Sequence, residues 1–195
     1  LDRFFQSPPV YRTGTYGRVI HEMRELAALG VGQYAHGNQP GHHVPYLYNH
    51  ASMPWKTQAL VRPIVDPLYQ ATPAGFAGDE DSGSLSSWYV LSTLGIYPAC
   101  PGTPRYELGA PRFERAELYL PNGKRLVIEG QGAQVADNRY VQSAHLNDRP
   151  LHETFVLHDE IVSGGVLRFD MGAAPNPEWY GKTPANPTGA TGVSH

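Results

Sequence analysis

Three short polar runs carry the side chains able to do chemistry: HEMRE at 21–25, HGNQPGHH at 36–43 and GDEDSG at 78–83. The third crowds three carboxylates together just ahead of a helical pattern. In an extended loop, residues two apart point the same way, so Asp79 and Asp81 converge while Glu80 faces elsewhere. A carboxylate pair serves either as a general base for a water molecule or as a hard-oxygen ligand for calcium. The positive end of a helix starting near Ser82 keeps such groups ionised, favouring base or ligand over general acid. The same residues also suit plain helix capping.

In HGNQPGHH, Asn38 and Gln39 are amides that donate and accept, which suits sugar hydroxyls or oxygen coordination of a hard cation. Asn38 equally suits a helix cap before Pro40. His42 and His43 are adjacent, so they point to different sides of a helix and make poor partners for one metal. HEMRE opens like the zinc-protease pattern, but Glu25 stands where the second histidine belongs, which removes that chemistry. His21 and Glu22 are left as a structural polar pair or as part of a sugar pocket.

The elements that must position these runs change character along the chain. Up to about residue 97 apolar residues recur at helical spacing, and beyond about 105 they alternate. RVIHEMRELAALG places Ile20, Met23, Leu26 and Ala27 on one face and stops at Gly30. HHVPYLYNHA and PWKTQALVRPIVDPLYQ predict two more helices, the second opening on Pro54 and kinked or shortened by Pro63 and Pro67. SGSLSSWYVLSTLG predicts a fourth, ending at Gly95. The tryptophans Trp55 and Trp88 suit either core or a sugar platform. After a linker, PACPGTPRYELGAP, the segments RAELYLPNGKRLVIEG, RYVQSAHLNDRPL, TFVLHDEIV and GVLRFDMG predict a small antiparallel β domain. Asn122-Gly123 marks one hairpin and Asn147-Asp148 a second turn. The fold class expected is therefore α+β: helices over 1–100, a β domain over 105–175, and an extended tail over 176–195.

Composition excludes much. The 195 residues carry a formal charge of −3, from 15 basic and 18 acidic side chains, and nothing in that balance points to nucleic acid or an anionic membrane surface. No apolar run is long enough to span a membrane, and LDRFFQSPPV lacks the pattern of a signal peptide, so the start reads as mid-chain material. The single cysteine, Cys100, rules out an internal disulfide and is expected to be buried packing.

Taken in order, GQYAHGNQPGHHVPYLYNHASMPWKTQ and ATPAGFAGDEDSGSLSSWYVLSTLGIYPACPGTPRYELGAP resemble the carboxy-terminal part of the family 92 glycoside hydrolases, calcium-dependent exo-α-mannosidases. The likeness runs from Gly32 to Leu108 and more loosely on to NPEW at 176–179. It implies a β-sandwich followed by an (α/α)6 barrel, of which this chain would hold the last helices. It also implies removal of terminal mannose from α-mannosides or N-glycans with inversion, outside the cytoplasm. By resemblance Asp81 is the base and Asp79 its partner, and Asn38 and Gln39 match the GN[E/Q]P run near calcium and sugar. His42, His43 and Trp55 match pocket wall or support, and Glu22 is taken as a further substrate contact. Gln39 stands where many members have Glu, removing one charge from the calcium site. The general acid is expected upstream, in a missing amino-terminal part of the same polypeptide, so the chain alone is expected to be inactive. The alternative is a carbohydrate-binding or structural module derived from such an enzyme.

Overall fold

The computed structural model describes residues 1–180. Short helix α1 (Asp2–Gln6) leads by an irregular segment to α2 (His21–Leu29), which enters from extended Ile20 and stops at Gly30 in the left-handed conformation, φ 66°. That is the stop expected at this glycine. Two 3-10 turns, Gln39–Gly41 and Val44–Tyr46, run into α3 (Leu47–His50). Next come α4 (Pro54–Leu68) and α5 (Ser84–Leu94), the latter flanked by Gly83 at φ 94° and Gly95 at φ 84°.

Helix α4 departs from expectation, because it runs 15 residues straight through Pro63 and Pro67. An interior proline costs about 3 kcal/mol. Against Pro63 stands the burial of Val61, Ile64 and Val65, each at most 3% exposed, at roughly 1.5–3 kcal/mol per side chain. Pro67 lies in the last turn, where little helix remains to break. Packing therefore overrides local preference. The core here is built from Tyr34, Tyr46, Val61, Ile64, Val65 and Trp88, so Trp88 is core.

The β part begins earlier than the linker reading implied. Strand β1 (Ile96–Tyr97) pairs with β2 (Arg105–Leu108), which lies inside PACPGTPRYELGAP, and β2 pairs with β7 (Phe155–Leu157), giving a three-stranded antiparallel sheet. A second sheet has the order β3 (Arg115–Tyr119), β4 (Arg125–Gln131), β8 (Gly165–Gly172), β5 (Tyr140–Leu146), β6 (Arg149–Pro150). All its pairings are antiparallel except β4 with β8. The hairpin at Asn122-Gly123 forms with Gly123 at φ 79°, and Asn147 turns the chain at φ 55°. TFVLHDEIV is only half strand; its second half is α6 (His158–Val162), which opens on an extended Leu157 whose N–H is taken by Glu160.

Buried polar groups tie helices to sheets. The Asn49 amide donates to Glu107 Oε2 at 3.1 Å and to Leu108 O at 3.0 Å, and Gln58 Oε1 accepts the Val141 N–H at 3.0 Å. Leaving such groups unpaired would cost about 1–3 kcal/mol each. Cys100 is exposed, contrary to expectation, because it lies in the surface turn between β1 and β2, where its carbonyl is bonded by the Thr103 hydroxyl. The expected tail falls mostly on 181–195, outside the described residues. Its first residues bring Trp179 into the β core at 6% exposure.

Candidate functional site

The three polar runs meet, and glycine makes the meeting possible. A Cβ at Gly37 would lie 2.7 Å from Ala77 O and 3.1 Å from Gly78 Cα, and one at Gly78 would lie 2.8 Å from Gly37 Cα. Neither glycine needs a left-handed φ, so close approach alone accounts for both. Above this crossing, Gln39 Nε2 donates to the Asp79 carbonyl at 2.7 Å. From α2, the Glu25 carboxylate reaches both glycines, and His21 Nε2 stands 3.4 Å from Glu22 Oε1 and 3.9 Å from Asp79 Oδ2. Glu22, Gln39 and Asp79 are thus brought together, with His21 and Glu25 beside them.

Charge and burial differ sharply within the cluster. The Asp79 side chain is 81% exposed, whereas Glu22 Oε2 is buried with no hydrogen-bond partner among the described residues. Burial pushes the Glu25 carboxyl above its ordinary range; His21 pulls it back, and the negative charges of Asp79 and Glu22 add to the rise. A carboxyl beside two like charges is the arrangement in which one member keeps its proton longest.

The loop 78–83 is not extended as the alternation argument supposed. Asp81, Ser82 and Gly83 follow one another at φ 52°, 55° and 94°. Asp81 and Ser82 pay for left-handed backbone, and the turn carries Asp81 to the surface. Glu80 turns back to cap α5: its carboxylate accepts the Gly83 N–H at 2.5 Å, the Ser86 N–H at 3.1 Å and the Ser86 hydroxyl at 2.6 Å. The Ser86 hydroxyl, then the Gly83 and Ser86 amides, hold the Glu80 carboxyl below its usual range. Capping therefore falls to Glu80. Both aspartate carboxylates are left without a hydrogen-bond donor among the described residues.

Beneath the 36–39 turn lies a buried polar network. His36 is 0% exposed, its two ring nitrogens meet Tyr34 Oη at 2.9 Å and Tyr69 Oη at 2.6 Å, and burial lowers its pKa to about 3. His42 is also buried: Nε2 bonds His36 O at 3.0 Å, its carbonyl takes the Trp88 indole N–H at 3.1 Å, and burial lowers its pKa. His42 is thus support inside the core. Asn38 and His43 are exposed; Asn38 begins the 3-10 turn without capping it through its side chain. Trp55 packs instead beside Tyr180, ring centroids 5.9 Å apart.

Sequence reasoning missed His36, Glu25 and the paired role of Gly37 and Gly78. The available signal was a glycine immediately before the polar residues in two separate runs.

The donor chemistry suits a hard cation only in part. Among the described residues no group of three or more His, Cys, Asp or Glu side chains is arranged to hold a metal. The Asn38 and Gln39 amide oxygens are hard donors, but two oxygens fall short of the six to eight that calcium takes.

The family model for the glycosyl hydrolase family 92 catalytic domain matches residues 1–173. The chain belongs to glycosyl hydrolase family 92. It is similar to a family 92 α-mannosidase of Bacteroides thetaiotaomicron at 33% identity and TM-score 0.77, covering 91% of this chain and 21% of that one. The same enzyme solved with mannoimidazole matches 76% of this chain and 19% of its own at 36% identity and TM-score 0.73. A family 92 inverting mannosidase of the same organism matches at 45% identity and TM-score 0.73, over 91% of this chain and 24% of that one. An uncharacterised secreted glycosidase of Arthroderma benhamiae is 25% identical over 159 residues, 80% of this chain and 20% of that protein. The chain thus spans about a fifth to a quarter of the length of these relatives, and the mixed fold, with a small sheet domain following the helices, matches theirs.

Proposed function

We propose that the polypeptide to which this chain belongs is an exo-α-mannosidase that hydrolyses terminal α-linked mannose, including that of N-glycans, with inversion and outside the cytoplasm, and that this chain supplies the base side of the site. One observation carries the reading: the Gln39 amide grips the Asp79 carbonyl, joining the GNQP and GDED runs into one polar surface beside His21 and Glu22. The likeness to mannosidases, one of them solved with mannoimidazole and one described as inverting, supports the substrate class and stereochemistry. The secreted description of the fungal relative supports the location. No helix among the described residues is long and apolar enough to cross a membrane.

In this reading Asp81, exposed and free of competing donors, takes a proton from the attacking water, and Asp79 orients that water. The general acid lies on the opposite face of the sugar and outside this chain, since inversion sets the two carboxyl groups roughly 6.5–9.5 Å apart to admit the water. Glu80 contributes by holding the start of α5, and so the turn at Asp81, in place. His21 and Glu22 present an imidazole and a carboxylate to sugar hydroxyls. His42 supports the turn from below and His43 lines the outer approach, whereas Trp55 packs beside Tyr180. Calcium, if held by Asn38 and Gln39 together with donors from the rest of the polypeptide, would supply charge stabilisation and a template for the sugar hydroxyls.

The test is turnover by the complete polypeptide on α-mannosides and α-glucosides, with the anomer of the released sugar followed by proton NMR, before and after chelation and calcium return. Release of β-mannose, lost in Asp81→Asn and on chelation, is the expected result. Release of α-mannose first, or a preference for glucosides, would sink the proposal.

A further inference from the structure

The polar network under the 36–39 turn has a direction. Tyr69 Oη donates to the Leu85 carbonyl at 3.2 Å, and a hydroxyl has only one proton to give. With the Tyr69 proton placed on the Leu85 carbonyl, Tyr69 accepts from His36 Nε2–H, and Nδ1 is left bare to accept the proton of Tyr34. The backbone of His36 is gripped as well, its carbonyl bonded by His42 Nε2, while the Trp88 ring packs edge-on at 4.3 Å. Each end of this chain of bonds belongs to a different part of the site. His36 directly precedes Gly37, Asn38 and Gln39, and Leu85 lies in the first turn of α5, where its own N–H returns to Glu80 O at 3.2 Å. A single imidazole in one tautomer thus spans the two loops from below, as Gln39 spans them from above.

We propose that His36 is a positioning residue: held as the Nε2–H tautomer between Tyr34 and Tyr69, it sets the distance between the Asn38-Gln39 turn and the Asp79–Asp81 loop. The role rests on the function proposed above, because it acts through those residues and touches no substrate. An apolar ring of the same size, in His36→Phe, would keep the packing and lose both hydrogen bonds. A flexible amide, in His36→Gln, offers one acceptor and one donor and would restore them.

The experiment uses the complete polypeptide: kcat and KM on an α-mannoside, melting temperature, and amide hydrogen exchange of peptides covering 36–39 and 78–82. The expected result for His36→Phe is a fall in kcat of about 10–100-fold, the scale of a misplacement below an ångström or so, with KM changed less and exchange faster in both peptides. His36→Gln should recover most of the loss. Wild-type kcat in a folded His36→Phe, or His36→Gln no better than His36→Phe, would overturn the proposal. Should His36→Phe fail to fold, Tyr69→Phe removes one hydroxyl and decides the matter: reduced kcat with an unchanged melting temperature supports it, and unchanged kcat overturns it. If the wild-type polypeptide turns over no α-mannoside, the mannosidase reading has failed by itself. The positioning reading then stands or falls on whether Tyr69→Phe speeds exchange in both peptides.

Discussion

Replacing Gly37 or Gly78 by alanine should separate the two loops by a predictable amount. Ordinary contact for a Cβ begins near 3.4 Å, and the Cβ of Gly37→Ala would start 2.6 Å from Glu25 Oε2 and 2.7 Å from Ala77 O. The glutamate tip can swing aside, but the Ala77 carbonyl is backbone and must retreat by about 0.7 Å. In Gly78→Ala the obstacle is again backbone, Gly37 Cα at 2.8 Å, and the retreat is about 0.6 Å. A 1 Å misplacement costs about a hundredfold in rate, so kcat/KM should fall roughly 10–100-fold, or about 1.4–2.7 kcal/mol of transition-state stabilisation. Overpacking costs about 1–3 kcal/mol of stability, of which the stiffer unfolded chain returns roughly 0.4–1 kcal/mol. The control is Gly41→Ala in the same turn, whose Cβ would meet nothing closer than 3.7 Å and whose φ is not left-handed. Steady-state kinetics of the complete polypeptide, each variant measured well below its melting temperature, is the assay. Wild-type kcat/KM in Gly78→Ala, or an equal loss in Gly41→Ala, would refute the idea that contact between these glycines sets the site.

Three other outcomes are expected. Asp81→Asn should lower kcat by about 10²–10⁴-fold, the usual worth of a positioned base, whereas Glu80→Gln, which touches only the cap, should act mainly on the melting temperature; the reverse ranking would exchange their roles. Glu25→Gln should melt above the wild type at pH 7, measured with a chelator present. The folded carboxyl is raised above its usual 4.5, so the native state holds a proton that the unfolded chain has released. The stability this contributes is present below the unfolded value and lost as pH rises through the folded one. The gap between variant and wild type should therefore close toward pH 4, and a gap independent of pH would remove the burial argument. Asn49→Leu should destabilise the domain by about 2–4 kcal/mol, because it removes the amide donor from buried Glu107 Oε2, whose other oxygen keeps His50 and Arg105, and from the Leu108 carbonyl; thermal unfolding without a loss would show that the joint between helices and sheets lies elsewhere.

Local chemistry accounts for what was legible in the sequence. Gly30 and Gly95 end α2 and α5 because only a residue without a Cβ takes the left-handed stop cheaply. Gly123 turns its hairpin for the same reason, and Asn147 turns the other because its short polar side chain tolerates the left-handed region better than most. The polar runs in the helical half were legible as candidates because nothing in a core needs three carboxylates in a row. Tertiary structure decided which of them does what. Glu80, set aside by the alternation argument, became the cap because the chain turns left-handed at Asp81 and Ser82, a conformation that residue types only weakly announce. Pro63 stayed in a helix because the core rewards Val61 and Ile64 more than the lost bond costs. His36 looked like any histidine beside a glycine until folding brought Tyr34 and Tyr69 to its two nitrogens, the second from 33 residues away. Spacing along a chain sets turns and faces, whereas a bond between residues far apart in sequence exists only once packing has brought its two ends together.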